Sequence, residues 1–290
     1  MFTGSLVAIV TPFRKGKVDE RALAELIEWQ IAKGTTGIVP CGTTGESATL
    51  SHEEHNRVIE LTVEVVNRRV PVIAGTGSNS TDEAITLTRH AKEAGVDRAL
   101  LITPYYNKPT QEGLYRHYKA VAEAVDLPLV LYNIPGRTGV NMLPATVARL
   151  LAIKTIVGVK EGSGSVQQAS DIVQVCGDRL TVLAGDDSLT LPMMAVGAKG
   201  VITVTANLMP TDMANLVKAF ADGKVDEARR IHFKLSPLFA ALFFETNPIP
   251  VKEALGMMGK IDPELRLPLC PMAQDTREKL VRVLKDAELI

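Results

Sequence analysis

Cysteine is scarce in this chain of 290 residues. Cys41, Cys176 and Cys270 are odd in number and far apart, which excludes a fully paired disulfide framework and any zinc-ligand spacing. The scarcity points to a reducing compartment. Neither sign of charge dominates: 32 basic against 33 acidic side chains leave a net charge of -1. That balance excludes the basic excess that a nucleic-acid groove or an anionic membrane surface requires. Long apolar runs are missing as well. The opening "MFTGSLVAIVTPF" has no basic start, and its apolar run of about five residues is too short for a signal-peptide core or a membrane span. The expectation is a soluble, cytoplasmic protein without a nucleic-acid or membrane partner.

What the chain does have is a recurring pattern. Short β-branched runs alternate with longer helical stretches: "LVAIVTP", "GIVPCG", "VPVIAGTG", "ALLITPYY", "LPLVLYNIP", "TIVGVKE", "LTVLAGDD" and "GVITVTAN". Continuous apolar runs suit strands covered on both faces, as in parallel sheets. The spacing between most of them leaves room for one helical crossover each. Helix signals fill the gaps. "VDERALAELIEWQIAKG" puts Leu23, Leu26, Ile27 and Ile31 on one face and stops at Gly34. Ser51 with Glu54, and Ser80 with Glu83, have capping-box spacing, and the second of these helices stops at Gly95. Eight such units predict a (β/α)8 TIM barrel over residues 1–224, followed by a small C-terminal helical region over 225–290. A doubly wound open sheet is the alternative. It calls for a glycine-rich dinucleotide turn after the first run, and "VTPFRKGK" is not one.

Barrel enzymes carry their chemistry at the carboxyl ends of the strands. The sixth run ends on Lys160, where burial disfavours a charged ammonium. Alternation sends Glu161 to the opposite face, so it is a poor ion-pair partner. Two readings are open: a lysine that snorkels to water, or a neutral amine able to form a Schiff base with a ketone. Tyr132, 28 positions earlier and so one unit back, favours the second, because a phenol within reach could shuttle protons. The glycine-flanked "GTTGE" turn offers the Thr43 and Thr44 hydroxyls and loop N–H groups to a small carboxylate, or is a plain turn. Arg137, after "NIPG", has the planar fork for a second carboxylate, or is a surface arginine. Asp186 and Asp187 read as caps of the next helix rather than a metal pair. His52 and His55 lack a third ligand and the HExxH spacing, and His90, His117 and His232 read as ordinary helix residues, so no metal is expected.

Taken together, "GIVPCGTTGES", "LLITPYYNKP", "LYNIPGRTG" and "GVKEGSG" resemble the pyruvate-dependent Schiff-base aldolases and lyases, and within them the dihydrodipicolinate synthase branch. The likeness runs over essentially the whole chain. It implies that Lys160 forms the imine with pyruvate and that Tyr132 relays protons. It implies a hydroxyl relay of Tyr132, Thr44 and Tyr106, with Tyr106 supplied by the neighbouring subunit of a tight dimer. Thr43 and Thr44 would hold the pyruvate carboxylate, Arg137 the carboxylate of L-aspartate 4-semialdehyde, and Gly185 and Ile202 would line the site through their backbone. No metal or organic cofactor is implied, and the assembly would be a homotetramer, a dimer of dimers, or a homodimer. Many members are inhibited by lysine, and the matching positions are Ala48, His52, His55, Asn79, Glu83 and Tyr105. The chain departs from the family at Gly162, where alanine is common, which bears on the stiffness of that loop. A sister lyase cleaving a sugar acid, such as N-acetylneuraminate or a 2-keto-3-deoxy acid, would share Lys160, Tyr132 and the "GTTGE" turn. Arg137 favours the synthase, since its fork suits a second carboxylate better than a polyol. A non-enzymatic barrel that senses pyruvate or lysine should have lost part of the catalytic set, and Lys160, Tyr132, Thr44 and Tyr106 are all present.

Overall fold

Apolar runs that can be covered on both faces become the strands of a parallel ring. The computed structural model of the protein describes residues 2–290. Its barrel strands are β1 (Gly4–Ala8), β2 (Gly37–Val39), β3 (Ile73–Gly75), β4 (Arg98–Ile102), β5 (Leu129–Asn133), β6 (Ile156–Glu161), β7 (Thr181–Ala184) and β8 (Gly200–Thr203). They pair in the order β2-β1-β8-β7-β6-β5-β4-β3. A parallel bridge from Ile38 to Val72 joins the two ends, so the architecture is a TIM barrel.

The crossover helices are α1 (Glu20–Ala32), α2 (His52–Val66), α3 (Thr81–Ala94), α4 (Gln111–Ala124), α5 (Pro144–Leu150), α6 (Val166–Cys176), α7 (Thr190–Ala195) and α8 (Pro210–Ala221). Three more, α9 (Val225–Ala241), α10 (Ile249–Met257) and α11 (Gln274–Asp286), follow the barrel. The Ser51 capping box at α2 is complete: Ser51 accepts from the Glu54 N–H, and Glu54 accepts from the Ser51 N–H. The expected box at α3 is half formed. Ser80 accepts from the Glu83 N–H, but the Glu83 carboxylate turns away to Ser78 Oγ and His52 Nε2. The Ser80 N–H donates instead to Ser78 Oγ.

Alternation along the strands separates two cores. Leu6, Ala8, Val39, Ile73, Leu100, Val130, Leu183 and Ile202 fill the barrel, while their sequence neighbours face the helices. Phe2 plugs the amino-terminal end of the ring. Gly158 makes room for it, since a Cβ there would stand 2.5 Å from Phe2 Cζ. Polar residues gather at the carboxyl end, where Thr43, Thr44, Arg137, Lys160 and Asp186 line a small cavity. No helix among the described residues is long and apolar enough to cross a membrane.

Candidate active site

Register does the first part of the work. Tyr132 and Lys160 are directly paired across β5 and β6, and both point into the barrel. The Lys160 amine lies 4.2 Å from the centroid of the Tyr132 ring and is 6% exposed. Burial pulls its pKa from 10.5 down to about 8; Asp187 opposes the shift and Arg137 adds to it. Burial pushes the Tyr132 phenol upward, so it stays protonated and can both give and take a proton. The neighbouring Glu161 faces the other way, as alternation requires. Its carboxylate is buried outside the barrel and accepts from the Ser163 N–H at 2.6 Å and from Asn133 Nδ2 and Gln168 Nε2 at 3.1 Å each.

A cavity of about 90 Å³ encloses the amine, lined among others by Thr43, Thr44, Arg137, Gly185 and Asn247. Gly185 is there because a Cβ would stand 3.0 Å from the Glu161 carbonyl oxygen and from Gly162 Cα. Ile202 lies in the barrel core rather than in the cavity wall. Gly162 leaves space beside the phenol ring: a methyl there would meet Tyr132 Cε2 at 3.5 Å and Asn133 O at 3.1 Å. Thr43 lines the same small cavity as the Tyr132 phenol, and its side chain works against the rise in the phenol's pKa. Thr44, expected in a relay with that phenol, accepts from Asn247 Nδ2 at 3.0 Å. Arg137 stands on a single helical turn, Pro135–Thr138, and donates to the Asn247 carbonyl at 3.2 Å. Asn247 thus ties the carboxylate-binding turn to the arginine.

The acidic pair divides. Asp186 does cap the following turn, accepting from the Ser188 N–H at 2.9 Å. Asp187 does not. It is buried and accepts from the Thr205 N–H at 2.7 Å, Thr205 Oγ1 at 2.6 Å and the Val204 N–H at 3.1 Å, which fixes the end of β8. Burial raises the pKa of its carboxyl, and its charge favours the protonated form of Lys160. Among the described residues, no three His, Cys, Asp or Glu side chains converge on a metal-sized site.

A second, larger cavity of about 970 Å³ adjoins the first, and Thr43, Arg137 and Asn247 line both. Its far wall carries Ala48, His52, His55, Glu83, Tyr105 and Tyr106. Asn79 is not in that wall; its carbonyl accepts from Asn107 Nδ2 at 3.3 Å. His52 Nε2 meets Glu83 Oε1 at 2.9 Å, and Glu83 also binds Ser78. His55 Nε2 donates to the Gly75 carbonyl at 2.9 Å, and burial lowers its pKa. Tyr105 and Tyr106 lie beyond the end of β4, which stops at Ile102. Tyr106 is 88% exposed and stands at the lip of the larger cavity, outside the wall around Lys160.

The same chain over residues 1–287 matches the model of the dihydrodipicolinate synthetase family. The chain belongs to that family. It is thereby an enzyme, a lyase of the class I aldolase type. A 4-hydroxy-tetrahydrodipicolinate synthase of Geotalea daltonii is 64% identical over 290 residues, covering all of both chains. The dihydrodipicolinate synthase of Acinetobacter baumannii, solved as a chloride-inhibited complex with pyruvate, superposes with a TM-score of 0.98 at 50% identity and covers all of both chains. The enzyme of Cyanidioschyzon merolae, solved with lysine bound, has a TM-score of 0.96 at 39% identity, with 100% of this chain and 99% of that one covered.

Sequence reasoning about this family member missed a set of supports. Asn247, Lys252 and Arg266 all come from the C-terminal segment and all reach back to the "GTTGES" turn or the helix after it. Lys252 carried a signal that was available: a lysine inside the apolar stretch "IPVKEALGM" poses the same question as Lys160.

Proposed function

We propose that this chain joins pyruvate to L-aspartate 4-semialdehyde through a Schiff base on Lys160. The product is 4-hydroxy-tetrahydrodipicolinate, the first committed step of lysine biosynthesis through diaminopimelate. The single observation that carries the reading is the Lys160 amine: buried at a strand end, depressed to about 8, and paired in register with a phenol. At that pKa about one amine in ten is neutral at pH 7, against about three in ten thousand for an ordinary lysine. The neutral amine attacks the keto carbon of pyruvate, and loss of one water leaves the imine. The protonated imine draws electrons from the methyl group, and loss of a methyl proton gives an enamine. The enamine carbon attacks the aldehyde, whose oxygen takes a proton and becomes the hydroxyl. The semialdehyde's own amine then displaces Lys160 at the imine carbon and closes the ring, returning the free lysine.

Tyr132 carries protons in these steps; its ring lies against the Lys160 amine, and Thr43 lines the same cavity. Thr43 and Thr44 receive the pyruvate carboxylate. Arg137, between the two cavities, receives the carboxylate of the second substrate. Tyr106 acts in the site of a partner subunit within a homodimer or dimer of dimers. Its exposure on the lip of the larger cavity supports that reading. Lysine binds in the larger cavity, its ammonium at Glu83, and inhibits.

Borohydride reduction in the presence of pyruvate, followed by mass mapping, tests the reading. A pyruvate adduct on the peptide carrying Lys160 is expected. Protein left unlabelled by pyruvate and borohydride would end it. A coupled assay with L-aspartate 4-semialdehyde beside sugar-acid substrates fixes the second reactant.

A further inference from the structure

A second lysine shares the misfit that singles out Lys160. Lys252 in α10 is completely enclosed, and its partner Glu46 is 4% exposed. The Lys252 Nζ donates to Glu46 Oε1 at 2.6 Å and to the Thr11 carbonyl at 3.0 Å, and lies 4.2 Å from the centroid of the Phe13 ring. The other Glu46 oxygen accepts from the Arg266 N–H at 3.3 Å. Glu46 belongs to the "GTTGES" turn and holds a φ of +51°, a conformation that non-glycine residues adopt only when something fixes them.

Stability does not account for this pair. Two charges taken out of water lose about as much as their attraction returns, and apolar residues of the same volume do as well or better. Burial lowers the pKa of the Lys252 ammonium, and Glu46 opposes that shift without cancelling it. What such a pair supplies is direction, because a short charged bond anchored at both ends locks the backbone between them. Glu46 stands two residues after Thr44 in the same turn. Thr11 Oγ1 donates to the Gly45 carbonyl at 2.7 Å, and Asn247 holds Thr44, so the turn is gripped on either side of the ion pair.

We infer that Lys252 and Glu46 are positioning residues for pyruvate: their ion pair sets the turn on which Thr43 and Thr44 meet the pyruvate carboxylate. The inference rests on the reading of Lys160 as the pyruvate-binding lysine. Neither residue touches substrate, and the pair acts through the threonines.

The test is the double variant Lys252→Met/Glu46→Gln, compared with Lys252→Met alone and the parent. The single variant strands a buried carboxylate and loses stability. The double variant strands none and melts above the single variant. Its second-order rate of borohydride trapping by pyruvate nevertheless falls at least about tenfold, since a displaced contact of about 1 Å can cost a hundredfold. The rise appears in the KM for pyruvate, while the KM for the semialdehyde moves less than about twofold. A folded double variant trapped at the parent rate overturns the inference. If the double variant does not fold, Glu46→Asp, which keeps both charges and withdraws the carboxylate by one methylene, is read in the same way. Parent protein that forms no pyruvate adduct removes the reading of Lys160 and this inference with it; a parent that does, beside an unaffected variant, removes this inference alone.

Discussion

Lys160 is held where a lysine is expensive. Its folded pKa of about 8 lies below the ordinary 10.5, so between these values the folded chain binds fewer protons than the unfolded one. Unfolding free energy therefore rises with pH across that window, and below pH 8 the buried ammonium is a standing cost of about 3 kcal/mol. Lys160→Met should abolish product formation and stabilise the fold by about that amount at pH 7. The gain should shrink as pH rises through 8 and vanish near 10.5, where both states of the parent are neutral. Urea denaturation of parent and variant at pH 7 and pH 10.5 measures it, and an equal gain at both would show that burial of charge is not the cause. Glu161 is the contrast one residue away. Facing outward, it collects three donors and has no electrophile to meet. Adjacent positions on one strand thus carry opposite chemistry because the side-chain period is two.

At the scale of elements, the openings of α2 and α3 decide what the larger cavity can bind. At α2 the capping box is closed and Glu54 is further held by Arg266, through Nη1 at 2.6 Å and Nη2 at 2.5 Å, so that carboxylate is used up. At α3 Glu83 leaves its own cap and reaches across to His52 at the start of α2. Its carboxyl is held below the usual range by Ser78 first and His52 second, which favours the carboxylate form. An ammonium could replace His52 as its partner at little cost, because that contact is largely exposed. Glu83→Gln should raise the lysine concentration for half-inhibition at least about tenfold, the worth of one lost charge-assisted hydrogen bond, and leave uninhibited turnover within about twofold. Titration with millimolar lysine reads it; an unchanged curve removes Glu83 from the inhibitor site. The strands and the Lys160–Tyr132 pair were legible in the sequence because parallel strands buried on both faces write themselves as apolar runs, and a charge or phenol ending such a run stands out. The supports were not. Asn247 and Thr44 lie 203 residues apart, and Lys252 and Glu46 lie 206 apart. No local period records such pairings; only closure of the ring and the return of α10 over its mouth create them. The Ser80–Glu83 box forms only by half for the related reason that capping spacing is local, whereas the competing partners of the Glu83 carboxylate sit on another helix and in the preceding loop.

For the whole molecule, the question is whether one chain is a complete enzyme. Tyr106 is almost fully solvated and held at a φ of +72°, projecting from the lip of the larger cavity instead of folding back on Lys160. A large aromatic kept in the open by a strained backbone buries little of itself against its own chain, as a residue that serves a neighbour's site would. The consequence can be read without isolating a monomer. Lys160→Met and Tyr106→Phe should each be inactive or severely impaired alone. If Tyr106 serves its neighbour, a mixed dimer has one site that carries both lesions and one that carries neither. Random reassociation of equal amounts puts half the dimers in the mixed form, each with one intact site of two, so about a quarter of parental activity should return. Reassociation after mild dissociation, with turnover measured against each variant alone, gives the answer. If Tyr106 serves its own chain, every site in the mixture carries one lesion, and activity stays at the sum of the separate variants.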